Sequence, residues 1–297
     1  MKPSKMFTSV AAAVVFGSGA ALANSDANQV RYKTGFEAPD FVAGQPLAGQ
    51  QGWNAPPPLS PEAAVVSKDK HRQGKQSVLV PGADLVHQDF INELTQGYYD
   101  AIGSYRKPIC PIGTQSGCKT VVDQLDSENI YTGYEAKGRV VRVSAHVRVD
   151  GGRTPGKNFF SASVGAIAVG TDSDTGKLAP EGVGELAISS DGHVYGYSGA
   201  HFVPTLLIED RVTLDEWHTL AVEADFAERK TRFFVDDEYI GWIWFDNQVT
   251  TDLLLRGSML VYAAPESGTA ERTLYEKKDY SAHFDQFAIR VEHPHNR

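Results

Sequence analysis

The chain has 297 residues, 41% hydrophobic and 10% aromatic, with 28 Lys+Arg against 37 Asp+Glu and a formal charge of −9. That is enough apolar material for one large core or two modest ones. The acidic balance argues against a nucleic-acid partner, because such binding rests on many Lys and Arg contacts to phosphate.

The chain opens with Lys2 and Lys5, an apolar stretch from Met6 to Phe16, and Ala21-Leu22-Ala23, a small-x-small cleavage pattern. This predicts a secretory signal peptide over residues 1–23 and export to the periplasm or extracellular space. The apolar run is broken by Gly17, Ser18 and Gly19 and is too short for a membrane anchor. No later segment reads as a membrane span. Cleavage removes two lysines and no acids, so the formal charge becomes −11. Residues 24–297 are read as a single domain.

From Gly35 onward, short apolar-polar alternations are broken by turn residues. NAPPPLSP at 54–61 reads as a surface loop. Residues 83–137 differ: Leu85, Val86, Phe90, Ile91 and Leu94 approach helical spacing beside strand-like pieces, so the segment is read as part strand and part insertion, the latter partly helical or irregular. It holds Cys110 and Cys118, the only two cysteines. An even count in an exported chain predicts a disulfide. Closing so small a loop contributes roughly 2–3 kcal/mol in the chain-entropy account.

RVVRVSAHVRVD at 139–150 is the clearest strand. Val141, Val143, Ala145, Val147 and Val149 share one face, and Arg142, Ser144, His146, Arg148 and Asp150 share the other. Residues 159–169 form the next strand, with small residues that imply close packing. Residues 184–189 and 193–198 form a hairpin across Ser190-Asp191-Gly192. Trp217 to Phe226, Thr231 to Val235, Tyr239 to Phe245, Ser258 to Ala264 and Ala282 to Val291 complete the strands. Many short strands with few helices predict an all-β antiparallel sandwich.

Three pieces carry a family resemblance: GFEAPDFVAGQPLAGQQGW at 35–53, LDEWHTLAVEADFAERKTRFFVDDEYIGW at 214–242 and HFDQFAIRV at 283–291. Together they resemble the concanavalin A-like (laminin G-like) jelly-roll superfamily. One departure stands out: the usual Asp-Gly turn reads Asp236-Asp237-Glu238, which implies a longer or different turn. The resemblance implies a jelly-roll fold and is silent on reaction, since this architecture hosts lectins, adhesins, hydrolases and lyases. It also implies a structural Ca²⁺ held by an early-strand Glu and a last-strand Asp, matched here by Glu37 and Asp285. Calcium needs six to eight oxygens, so backbone carbonyls would have to complete the set.

No paired-carboxylate run for glycoside hydrolysis is present; Glu223 and Asp225 share a strand face but also suit a solvated sheet. The lyase motifs R-x-E-x-R, Q-[I/V]-H and Y-x-K-x-G-x-Y-x-Q are missing from the sequence. Uronate lyase chemistry needs a cation to neutralise the carboxylate and a base for the C5 proton. Arg142, His146, Arg148 and Tyr197 supply those groups if their strands line one concave face; otherwise they are ordinary surface residues. For sugar stacking, the candidates are Trp53, Tyr195, Tyr197 and His201, with Trp242 and Trp244 as further aromatics. Trp53 suits platform or core, whereas Trp217 and Trp242 are expected in or near the core. Three functions follow: a non-catalytic carbohydrate-binding domain, a polysaccharide lyase or glycoside hydrolase, and a structural or adhesive surface protein. The sequence sets no oligomeric state.

Overall fold

The computed structural model describes residues 28–54, 64–81, 100–106, 118–122, 130–151, 158–171, 175–197, 204–245, 248–265 and 281–292. Its strands, in chain order, are β1 (Asn28–Thr34), β2 (Trp53–Asn54), β3 (Val65–Ser67), β4 (Ser77–Pro81), β5 (Asp100–Arg106), β6 (Cys118–Val122), β7 (Ile130–Glu135), β8 (Val140–Asp150) and β9 (Asn158–Thr171). They continue with β10 (Leu178–Ser189), β11 (Val194–Tyr197), β12 (Pro204–Ile208), β13 (His218–Asp225), β14 (Lys230–Val235), β15 (Glu238–Trp244), β16 (Val249–Pro265) and β17 (Ser281–Glu292).

These form two antiparallel layers. The first sheet runs β15-β14-β13-β8-β17-β4-β3, with β1 also on β17. The second runs β12-β11-β10-β9-β16-β5-β2, with β7 on β16 and β6 on β7. The chain crosses between layers from β1 to β2, β2 to β3, β4 to β5, β7 to β8, β8 to β9, β12 to β13, β15 to β16 and β16 to β17. This is the all-β antiparallel sandwich that the alternation predicted, in the jelly-roll form that the resemblance implied.

The core lies between the layers. On β8, Val141, Val143, Ala145, Val147 and Val149 are buried and the residues between them are partly exposed, as period two requires. The valines meet Ala162, Val164, Ala166 and Met259 of the second sheet in one cluster. Gly257 sits where the layers approach closely: a Cβ there would fall 2.8 Å from Phe287 Cζ and 2.9 Å from Val143 Cγ1.

Residues 83–137, expected as part strand and part insertion, contribute three strands. Their described parts, β5, β6 and β7, are strands of the second sheet, with β5 and β7 paired directly to β16. Among the described residues there is no helix. Leu85 to Leu94 lie outside the described residues. So does Cys110, and with it the predicted bridge to Cys118. The β14–β15 turn also differs from expectation. Val235 pairs with Glu238, so Asp236 and Asp237 form a two-residue turn, both with positive φ (52° and 62°). Aspartate tolerates that region better than most residues, and the tight turn needs it at both positions.

Candidate functional site

The outward face of the first sheet is a ladder of compensated charges. Arg142 Nη1 donates to Glu223 Oε1 at 2.7 Å, and Nη2 donates to Asp237 at 3.1 Å. Its guanidinium also lies over the Phe234 ring, 4.9 Å from the centroid. Arg232 bridges Asp225 at 3.0 Å and Glu228 at 2.7 Å. Glu223 and Asp225 are thus ion-pair partners on this sheet. Arg148 Nε donates to Asp150 at 2.6 Å, and Lys70 donates to the same carboxylate at 2.6 Å. Burial works to raise the Asp150 carboxyl, but the bonds from Lys70 and Arg148 hold it below the usual range.

Two histidines are set into this ladder. His283 is buried, with Nε2 3.1 Å from Asp150 Oδ2 and its ring edge-on to Trp217. Burial pushes its pKa down to about 4, against the pull of Asp150. His146 stands in register with Thr219 and Asp285. Burial lowers its pKa too, against Asp285.

The proposed lyase quartet does not assemble. Arg142, His146 and Arg148 face outward from the first sheet, whereas Tyr197 belongs to β11 of the second. Val194 of β11 is in the core, and a Cβ on Gly196 would meet the buried Phe233 ring at 2.9 Å. Tyr195 and Tyr197 therefore project from the opposite side of the sandwich. Arg142 and Arg148 are, in addition, already committed to carboxylates. A register slip cannot repair this, because the two faces are separated by the core.

Trp53, expected as platform or core, is core. It is fully buried, donates Nε1–H to Tyr32 Oη at 3.0 Å, and packs against Phe287 and Phe36 at 5.0 and 5.7 Å between centroids. His201 lies outside the described residues.

Glu37 and Asp285 do approach one segment, 70–76, but as acceptors for its backbone. Glu37 Oε1 accepts from the amides of Lys75 (2.7 Å) and Gln76 (3.0 Å). Asp285 Oδ2 accepts from the amides of Arg72 and Gln73, both at 2.9 Å, and Oδ1 accepts from Gln286 at 2.7 Å. Burial raises the Asp285 carboxyl in spite of these donors. Amide N–H groups aimed at carboxylates are an anion-holding set, whereas calcium requires oxygen ligands. The residues present do not fit the metal. Among the described residues no group of three or more His, Cys, Asp or Glu is placed to hold one.

The outward face of the second sheet is different in chemistry. Strand registers set Tyr197, Glu185, Gly165 and Ser258 in one row across β11, β10, β9 and β16. The next row holds Tyr195, Ala187, Ser163 and Leu260. Tyr195 and Tyr197 stack, with centroids 6.3 Å apart and planes at 29°. Tyr195 is half-buried and Tyr197 is buried. Gly165 lets its neighbours close over it: a Cβ there would lie 2.8 Å from Ser258 Oγ and 3.5 Å from Glu185 Cγ. The hydroxyls of Ser161 and Ser258 are buried and have no hydrogen-bond partner. Tyr195 and Tyr197 could be found from their spacing, but the row they join depends on pairing between distant segments.

Trp242 also departs from expectation. It is 44% exposed and Trp244 is 58% exposed, both on the outward face of the edge strand β15. The two-residue interval between them already placed them on a common face.

No family model matches the chain, and no curated protein matches it. Solved structures of similar shape exist. One is a carbohydrate esterase from a Shiga toxin-encoding bacteriophage, at 12% identity over 89% of this chain and 99% of that one, with a TM-score of 0.41. Another is an endo-β-1,4-glucuronan lyase from the fungus Trichoderma reesei, at 9% identity over 88% and 95%, with a TM-score of 0.41. A protein of unknown function with a galectin-like fold from Bacillus subtilis is similar at 11% identity over 89% and 97%, with a TM-score of 0.42. The fold class of this chain stands on its own strand order and pairing. Among the described residues no helix is long and apolar enough to cross a membrane.

Proposed function

We propose that this protein is an exported β-sandwich that binds a polysaccharide or envelope glycan without cleaving it. The observation that carries this reading is the stacked Tyr195–Tyr197 pair on the outward face of the second sheet, in register with Glu185 and Ser258. Aromatic rings accept the apolar CH face of a pyranose, and nearby carboxylate and hydroxyl groups bond its hydroxyls. Tyr195 is the ring a ligand reaches, and Tyr197 backs it. The buried, unpartnered hydroxyls of Ser161 and Ser258 fit the same face, since such groups ordinarily find a protein, water or ligand partner.

The lyase or hydrolase alternative loses support because its cations and its tyrosine lie on opposite layers. The structural or adhesive alternative differs in predicting no glycan contact at all. A glycan array with the mature protein separates the three. Binding that weakens at least tenfold in Tyr195→Ala and in Glu185→Gln supports the proposal. A blank array favours the structural reading. Unsaturated product from a uronate polymer, detected by its ultraviolet absorbance, would overturn the non-catalytic assignment.

A further inference from the structure

We infer that the outward face of the β14–β15 hairpin is a second, independent glycan-contact surface, built for an uncharged chain. Its core is an aromatic stripe. Register places Lys230 opposite Trp244, Arg232 opposite Trp242 and Phe234 opposite Tyr239. Trp242 and Trp244 meet edge to face, with centroids 4.8 Å apart and planes at 81°. Phe234 and Tyr239 continue the stripe at 5.7 Å. Trp242, Trp244 and Tyr239 are 44%, 58% and 50% exposed. Leaving three such rings in water on one hairpin is unfavourable, since each forgoes burial on the order of a few kcal/mol.

The rings are held in place before any ligand arrives. The Lys230 ammonium lies 4.9 Å from the Trp242 centroid and 4.8 Å from that of Trp244. Arg142 caps Phe234 in the same way. A surface already ordered loses less side-chain entropy on binding.

Charge decides the occupant. Every cation on the stripe has its acid: Arg142 with Glu223 and Asp237, Arg232 with Asp225 and Glu228, and Lys230 with Glu228 at 3.6 Å. At the turn, the Asp237 and Glu238 side chains are 84% and 71% exposed. Asp237 is paired with Arg142 and Glu238 with Arg211 at 2.6 Å, so among the described residues of the stripe no cation is left over to attract an anionic lipid surface or a uronate chain. A neutral glycan suits the arrangement: its CH faces lie on the rings and its hydroxyls bond to the flanking ion pairs. This surface lies on the layer opposite Tyr195, so one molecule can hold two chains, or two stretches of one chain, with a gain in avidity.

The test uses the whole mature protein and its intrinsic tryptophan fluorescence. The neutral probes are cello-, xylo-, manno- and laminari-hexaose, with oligoglucuronate as the acidic control. The variants are Trp242→Ala/Trp244→Ala, Trp242→Phe/Trp244→Phe and Tyr195→Ala. The inference expects a neutral probe to shift the fluorescence of the wild type and of Tyr195→Ala alike. The double alanine variant should melt normally and lose this site at least tenfold in affinity. The double phenylalanine variant should retain most binding, read by calorimetry. Failure of the Tyr195 site alone leaves this inference standing. It is overturned if no neutral probe binds here, if only oligoglucuronate does, or if the alanine pair binds unchanged. Sedimentation showing a dimer that the alanine pair dissociates would also overturn it, because the stripe would then be a contact between two copies.

Discussion

The two outward faces of the sandwich are built from the same alternating pattern yet finish with opposite chemistry. On the first sheet, arginines, lysines and carboxylates close into pairs, although the buried Nδ1 atoms of His146 and His283 have no hydrogen bond among the described residues. On the second, serines, glycine and alanine lie in rows beside two stacked tyrosines, and the buried hydroxyls of Ser161 and Ser258 have no partner among the described residues. Abundant charge is therefore a poor guide to where chemistry happens. Arg142 and Arg148 stand out in the sequence, but the sheet uses them to neutralise its own acids. The quieter face is set apart by its stacked rings and small residues rather than by unmet hydrogen bonds, which both faces hold.

The comparison can be broken or sharpened by substitution. The largest effect is expected where the layers meet and neither face is involved. Trp53→Ala should destabilise by roughly 3–5 kcal/mol, by removing a buried ring from among Tyr32, Phe36 and Phe287. A drop below about 1 kcal/mol in denaturant unfolding would mean that Trp53 is not the core residue its packing indicates.

Next comes acid. The His283 pKa of about 4 in the folded chain lies below its unfolded value of about 6.5. The unfolded state therefore takes up the proton first as pH falls. The stability that neutral His283 contributes is complete above about 6.5 and is lost between there and about 4, roughly 3 kcal/mol in total. Asp150, held low, adds to the loss at the acid end, and Asp285, pushed up by burial, opposes it. Melting curves across this range should slope less steeply for His283→Asn than for the wild type. Parallel slopes would remove His283 from the account.

Smaller effects follow on the first face. Arg142→Ala should destabilise by about 1–2 kcal/mol, because Glu223 is left largely buried without its partner. Glycan binding at Tyr195 should not change; a tenfold loss there would show that the two faces are not independent. The smallest effect is expected from a chelator. With Glu37 and Asp285 bonded to backbone amides, EDTA should leave the melting midpoint where it is. A fall of several degrees that calcium reverses would restore the metal reading.

Much of the fold was legible in the sequence. The valines of 141–149 could face only one way, and β8, β9, β13 and β17 fall within one or two residues of their expected bounds. The errors share one source. Residues 83–137 lack clean alternation, and nothing local reveals that β5 pairs with β16, some one hundred and fifty positions later. Trp53 and Trp242 look alike in sequence, but one is sealed among Tyr32, Phe36 and Phe287 while the other lies on an edge strand.

The sequence by itself determined the cleanly alternating strands such as β8, their inward and outward faces, and hence a two-layer antiparallel sandwich, because period two is a property of each strand alone. Only the tertiary structure decided which faces share a side of the molecule. That depends on strand order and register between segments far apart in the chain, and it is what separates Arg142 and His146 from Tyr197 and aligns Tyr197 with Glu185 and Ser258.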